Sequence, residues 1–377
     1  MYLLIGSDLV PTQVNINLFN NGNVSELLGE ELLYEWNSAN VRIFNLEVPL
    51  VDKESPIFKC GPNLIAPTST IKGIKNLEPS LLTLANNHIL DQGVKGLKTT
   101  IDLLIENEIP YTGVGDTLSE ASKSYILKEG EIKIGIYACA ENEFSIATEK
   151  NPGANPFDPL ESLDHIQKLK KECDYVIVLY HGGKEYYRYP SPYLQKVCRK
   201  MVQKGADLVV CQHSHSIGCY EEYEKATIVY GQGNFIFNKL DNEFWNTGLL
   251  IKLAFSESVS IEYIPIVKKG EGIRLATSQV AEDILSAFHQ RSEQILEDGF
   301  IEKQYKEFAE EKRELYLRSL SGTGKWLSRI DRRLLKGKLL KNKYNKKQLL
   351  AIQNYIECEA HRELLLAGLK GENESEG

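Results

Sequence analysis

The chain has 377 residues, 42% hydrophobic and 25% charged, which suits an ordinary soluble globular protein with one large domain and an appendage. No run approaches the roughly 18 to 20 apolar residues of a membrane-spanning helix, which excludes an integral membrane protein of the helical kind. The net charge of −8 disfavours nucleic acid as a general partner, but it conceals an asymmetry: residues 325–347 hold ten Lys/Arg against the single acid Asp331, a local +9 that leaves −17 elsewhere.

The start, Met1-Tyr2-Leu3-Leu4-Ile5-Gly6, has no basic stretch and too short an apolar run for a secretory leader, so residues 3–5 are read as the first strand. Short β-rich runs follow at 41–46, 81–85, 132–138, 175–180, 208–211 and 227–230. Amphipathic stretches at 93–107, 160–172 and 192–205 alternate with them, the pattern of a layered α/β fold. Residues 248–255 and 260–265 read as a hairpin joined at Ser256-Glu257-Ser258. Beyond Lys268 the strand signals stop, and Lys268-Lys269-Gly270-Glu271-Gly272 is taken as the boundary between a domain over 1–268 and a helical extension over 269–377. Val280, Ile284, Phe288 and Ile295 recur near helical spacing there, and the polar end 371–377 is expected to fray. The seven cysteines are odd in number, form no CxxC pair and mostly sit inside apolar runs, which points to small core residues and a reducing cytoplasm.

The residues that carry chemistry follow the apolar runs. His213 and His215 leave one strand end together, a spacing that suits either a divalent-metal pair or a hydrogen-bonded polar loop. His181 ends another apolar run and opens Gly182-Gly183, whose missing side chains would let a ligand approach. Asn86-Asn87-His88 follows a third run, with Asp91 three residues on; a carboxylate beside an imidazole fixes its tautomer and supports a general acid. Asp8 and Glu47 add carboxylates just after two further strands. Oxygen donors mixed with imidazoles suit Mn, Fe or Zn, and six donors are more than one ion needs. Two divalent ions sharing a carboxylate would use them all. The remaining histidines, His165, His289 and His361, lie among charged neighbours in helical stretches and are read as surface residues.

In their order along the chain these motifs resemble the CapA-type poly-γ-glutamate and capsule biosynthesis proteins, which have the calcineurin-like metallophosphoesterase fold. The resemblance spans roughly 1–240 and rests on Gly6-Ser7-Asp8, Asn45-Leu46-Glu47, Ala85-Asn86-Asn87-His88 with Asp91-Gln92-Gly93, Gly113-Val114-Gly115, His181-Gly182-Gly183-Lys184-Glu185-Tyr186, His213-Ser214-His215 and Gly233-Asn234-Phe235. It implies a layered, metallophosphoesterase-like β-sandwich flanked by helices. It also implies Asp8, Asn87, His181, His213 and His215 as metal ligands, Glu47 as a bridging carboxylate and His88, with Asp91, as the general acid. Asn45, Asn86, Glu185 and Asn234 fall at the rim or behind the ligands. Metallophosphoesterases proper carry Asp-x-His in the first motif, whereas this chain has Asp8-Leu9-Val10 and is one ligand short.

The leading expectation is therefore a dinuclear, metallophosphoesterase-like hydrolase in capsule or poly-γ-glutamate synthesis, acting on a phosphorylated precursor or an anionic polymer. The alternative is a non-catalytic assembly factor that binds an anionic polymer or lipid-linked precursor. Trp326, Leu327, Ile330, Leu334 and Leu335 recur at three-to-four spacing among basic residues, an amphipathic stretch that either lies on an anionic membrane at its inner face or packs its apolar side on the acidic body. Gly337 interrupts it.

Overall fold

The computed structural model describes residues 1–239, 242–256, 258–336 and 338–375. Glu257 of the expected hairpin turn and Gly337 of the basic segment lie outside these, as do the last two residues of the expected fraying end, although the helix Glu359–Ser375 runs through the rest of it. Two compact units divide the chain, Met1–Lys303 and Gln304–Gly377.

The first unit is the expected layered α/β sandwich. One sheet runs in the order Gly272–Leu275, Val259–Lys269, Thr247–Phe255, Tyr2–Val10, Val41–Leu46, Leu81–Thr83 and Tyr111–Thr112, with Asn234–Phe237 also pairing with Tyr2–Val10. Its pairings from Tyr2–Val10 to Tyr111–Thr112 are parallel. The second sheet is ordered Tyr220–Tyr223, Ala226–Val229, Leu208–Gln212, Tyr175–His181, Ile132–Ala140 and Tyr125–Glu129, parallel through its four central strands.

Side chains alternate across a strand, so each of these runs must satisfy two cores at once. Leu3, Ile5, Val41 and Ile43 face Ile134, Ile136, Ile177 and Leu179 between the sheets. Leu4, Phe44 and Leu82 point the other way, against Leu27, Leu32, Trp36 and Leu97 on helices. On the far side Val176 and Val178 meet Ile166, Val197 and Met201 of the helices Ser162–Lys170 and Pro192–Gln203. Burial on both faces is why these strands read as unbroken apolar runs instead of alternating ones.

Two expectations are corrected. Residue 268 falls inside Val259–Lys269, and Gly272–Leu275 adds one more strand to the sheet, so strand structure does not stop there. The Lys-Lys-Gly-Glu-Gly stretch is a hairpin turn, with Gly270 at φ +60° where a glycine carries no steric cost. The helix Ser278–Gln294 also belongs to the first unit, its Phe288 fully buried against Tyr220 and Tyr263. His165 is only half-exposed, its Nδ1 3.3 Å from the Tyr137 hydroxyl.

In the second unit, Lys325–Arg333, Lys338–Lys343, Lys346–Glu357 and Glu359–Ser375 are helices. Asn345 caps the third of these by a reciprocal pair of hydrogen bonds with Gln348. Among the described residues no helix is long and apolar enough to cross a membrane.

Candidate metal centre

The carboxyl ends of the parallel strands from both sheets converge on one point. Asp8 pairs in register with Asn45 on one side and Asn234 on the other, and Gln212 pairs with His181. Asp8 lies within its strand rather than after it, at a place where the pairing register shifts on both sides. Glu47 follows Val41–Leu46 directly, and Asn86-Asn87-His88 lies in the irregular segment beyond Leu81–Thr83. His213 and His215 take φ of +76° and +53°, in the left-handed region where a non-glycine residue stores about 1 to 3 kcal/mol of strain. That turn aims both imidazoles at the same centre.

His181 is the hub. Its Nε2 lies 3.0 Å from Asn87 Oδ1, 3.1 Å from Glu47 Oε1 and 3.2 Å from His213 Nδ1. On its other side, Nδ1 lies 3.4 Å from Asn45 Nδ2 and 3.7 Å from Asp8 Oδ1. His215 Nδ1 lies 3.9 Å from Asp8 Oδ2 and 2.9 Å from Asn234 Oδ1. An amide oxygen there holds the proton on Nδ1 and leaves Nε2 with the free lone pair. Among the described residues, donor atoms fall into two groups, each within 4.8 Å: Glu47 with His181 and His213, and Asp8 with Glu47 and His215. Glu47 belongs to both.

Asn45 and Asn86 support this arrangement from behind. Asn86 Nδ2 donates to Asn45 Oδ1 (3.0 Å) and to the Leu46 carbonyl (2.9 Å), while Asn45 Nδ2 donates to Asp8 Oδ1 (2.8 Å). Asn86 Oδ1 also accepts from the His88 amide at 3.0 Å, which fixes the path of the chain into the next motif.

Burial dominates the electrostatics. It pushes Glu47 and Asp8 up to about 7, the Glu47 charge adding to the effect on Asp8 and the Glu185 charge to that on Glu47. It pulls His181 and His213 down, and His215 to about 3. Both carboxylate oxygens of Glu47 are buried without a hydrogen bond, although His181 stands close. A buried carboxylate with neither a donor nor a cation is costly. Carboxylates, neutral imidazoles and an amide oxygen facing one another form the donor set that a divalent cation satisfies. The residues present thus fit the divalent metal that the sequence motifs imply.

Next to the cluster, His88 Nδ1 sits 2.5 Å from Asp91 Oδ2. The sequence alone did not point to Lys59, whose buried ammonium pairs with Asp91 Oδ1 and lies 3.3 Å from His88 Nδ1. It comes from the loop at 51–67, drawn inward because Leu64 N donates to Asp91 Oδ2 (2.5 Å) and Ile57 N to the Asp91 carbonyl (3.1 Å). Glu143 is another unforeseen neighbour, 3.4 Å from Asn87 Nδ2 and 4.0 Å from His213 Nε2. Glu185 stands half-buried, close enough for its charge to act on Glu47 and His181. Gly182 does not make room for a ligand as expected: a Cβ there would meet Glu141 Cγ at 2.8 Å and Tyr180 Cζ at 3.0 Å. Trp245, stacked on His215 with ring centroids 4.5 Å apart, closes the far side.

Fold and cluster together define a two-sheet α/β domain with a buried carboxylate, amide and imidazole centre at its strand ends. The chain belongs to the bacterial capsule synthesis protein family PGA_cap, whose model matches residues 9–239. It is 32% identical over 204 residues to the capsule biosynthesis protein CapA of Bacillus anthracis, covering 52% of this chain and 50% of that protein. The PGA biosynthesis protein CapA of Bacillus subtilis is 33% identical over 173 residues, covering 45% and 46%. The chain thus spans about half the length of these curated relatives. Among solved structures, a phosphatase from Mycoplasma pneumoniae is similar at 14% identity and a TM-score of 0.43, covering 71% of this chain and 93% of that one.

Proposed function

We propose that this chain is a metal-dependent hydrolase of capsule or poly-γ-glutamate synthesis, acting on an anionic, phosphorylated substrate. The observation that carries the reading is Glu47, buried, without hydrogen bonds and shared by two donor groups. In this reading Asn87, His181 and His213 would hold one divalent ion of the Mn, Fe or Zn class and Asp8 and His215 a second, with Glu47 within reach of both groups. When bound, such ions polarise a phosphoryl or carbonyl oxygen.

The rest is done by the chain's own groups. Asp91 and Lys59 tie down the Nδ1 edge of His88, so that Nε2 is the nitrogen left to give a proton to a departing oxygen. Asn234 orients His215. Lys239 and Lys184, whose charges act on His215 and His213, supply positive charge near the site for an anionic substrate.

The test is metal analysis joined to a hydrolase screen. Protein stripped by chelator and reloaded with Mn should gain phosphoesterase activity. His88→Ala should keep the metal while turnover falls by roughly 10²- to 10⁴-fold. A preparation that holds no metal and ignores added Mn would sink the reading. One that binds Mn and an anionic polymer but cleaves no phosphoester or amide would instead support an assembly factor.

A further inference from the structure

The second unit carries a feature that the metal centre does not use, and it lies beyond the family-matched residues 9–239. In the helix Lys325–Arg333 and the residue after it, Trp326, Leu327, Ile330 and Leu334 fall on one stripe by helical spacing, and all four are exposed, Trp326 at 77% and Leu334 at 75%. Arg329, Arg332 and Arg333 occupy the adjoining face and are also exposed. Leu335 and Leu339, likewise exposed, continue the apolar surface toward Lys336 and Lys338.

The single acid of the segment does not offset these charges. Asp331 is turned inward, its carboxylate bonded to Arg318 at 3.0 Å and accepting from Leu339 N at 2.9 Å. The inward acid also joins this helix to Lys338–Lys343, while Arg329, Arg332, Arg333, Lys336 and Lys338 stay exposed.

We propose that this segment is a docking surface for an anionic lipid bilayer, with Trp326, Leu327, Ile330 and Leu334 entering the headgroup region and the arginines beside them pairing with lipid phosphates. A stripe of this kind beside clustered cations is the pattern of a helix that lies in the membrane interface. A soluble polyanion would satisfy the arginines and leave the four apolar side chains in water. A bilayer satisfies both faces, and it is therefore the occupant the surface fits.

The experiment is co-sedimentation of the full chain with vesicles of equal parts phosphatidylglycerol and phosphatidylcholine, with phosphatidylcholine alone as control. Binding to the anionic vesicles is expected, weakening as salt is raised. The charge reversal Arg332→Glu with Arg333→Glu should lower partitioning at least roughly tenfold. Trp326→Ser with Ile330→Ser, which leaves the charge unchanged, should do likewise. All these positions are exposed, and unaltered circular dichroism would show that the variants fold. Failure to bind anionic vesicles, equal binding to neutral ones, or undiminished binding by the apolar variant would each overturn the proposal. So would retention on poly-glutamate without vesicle binding, since that would make the surface a polyanion site.

Discussion

Glu47→Gln should stabilise the metal-free protein against unfolding, and increasingly so as pH rises. The native pKa of this carboxyl is pushed up to about 7 from 4.5 by burial, so the fold disfavours its charged form. A group raised in this sense favours folding fully below its unfolded value and loses that advantage as pH rises toward its native value. The interval between 4.5 and about 7 corresponds to about 3 kcal/mol, nearly all of it forfeited by pH 8 and little of it by pH 5. Glutamine has the same shape and no charge. Whatever its buried amide costs is the same at both pH values and cancels in the comparison. Urea unfolding of chelator-treated wild type and variant near pH 5 and near pH 8 should therefore show the difference between them moving by about 2 kcal/mol in the variant's favour. Excess Mn should reverse the order, because a ligand at about a hundredfold over its Kd adds about 2.7 kcal/mol to a protein that binds it. A stability difference independent of pH would refute the reasoning, as would a variant that gains as much from Mn as the wild type.

Three further outcomes follow from the same geometry. With burial raising Asp8 and Glu47 to about 7 and biasing His181, His213 and His215 toward their neutral form, Mn uptake near pH 6 should release up to two protons from the carboxyls and near pH 8 almost none. Calorimetry in buffers of different ionisation enthalpy reads this directly, and equal release at both pH values would contradict it. Lys59→Met leaves the buried Asp91 without its cation and should lower unfolding stability by about 3 kcal/mol with metal content unchanged, measured by denaturation and elemental analysis; a neutral effect would remove Lys59 from the argument. Asn234→Ala deletes the acceptor that orients His215 and should weaken Mn binding roughly 10- to 100-fold by titration, whereas unchanged affinity would mean that His215 needs no such support.

Much of the sandwich was legible because its central strands are buried on both faces. Tyr175–His181 and Leu208–Gln212 appear as apolar runs ended abruptly by polar residues, and those endings are what the fold gathers. Asn86, Asn87, His181 and His213 could be found in this way. Asp8 was also visible, though its strand runs on past it: Leu9 and Val10 are buried as strand residues. The boundary at 268 was misplaced because two lysines and two glycines resemble a linker, while the alternation of Ile273 and Leu275 beyond them is too short to announce a strand. Nothing local marks Lys59. It is one lysine in a loop without regular structure, and it reaches His88 only because Asp91 draws that loop inward through backbone amides. Gly182 shows the converse, a glycine whose open space is taken by Glu141 from a neighbouring strand end.

The donors come from opposite walls of the sandwich. Asp8, Glu47 and Asn87 belong to one sheet and its exits, His181, His213 and His215 to the other. Neither wall owns a complete set for either group, because each contains Glu47 and at least one imidazole. The centre cannot preform on a half-built domain; it comes into being when the layers dock, and an ion bound there would act as a rivet through both. Chelation should accordingly loosen the pairing of the two layers before it disturbs the strands within either.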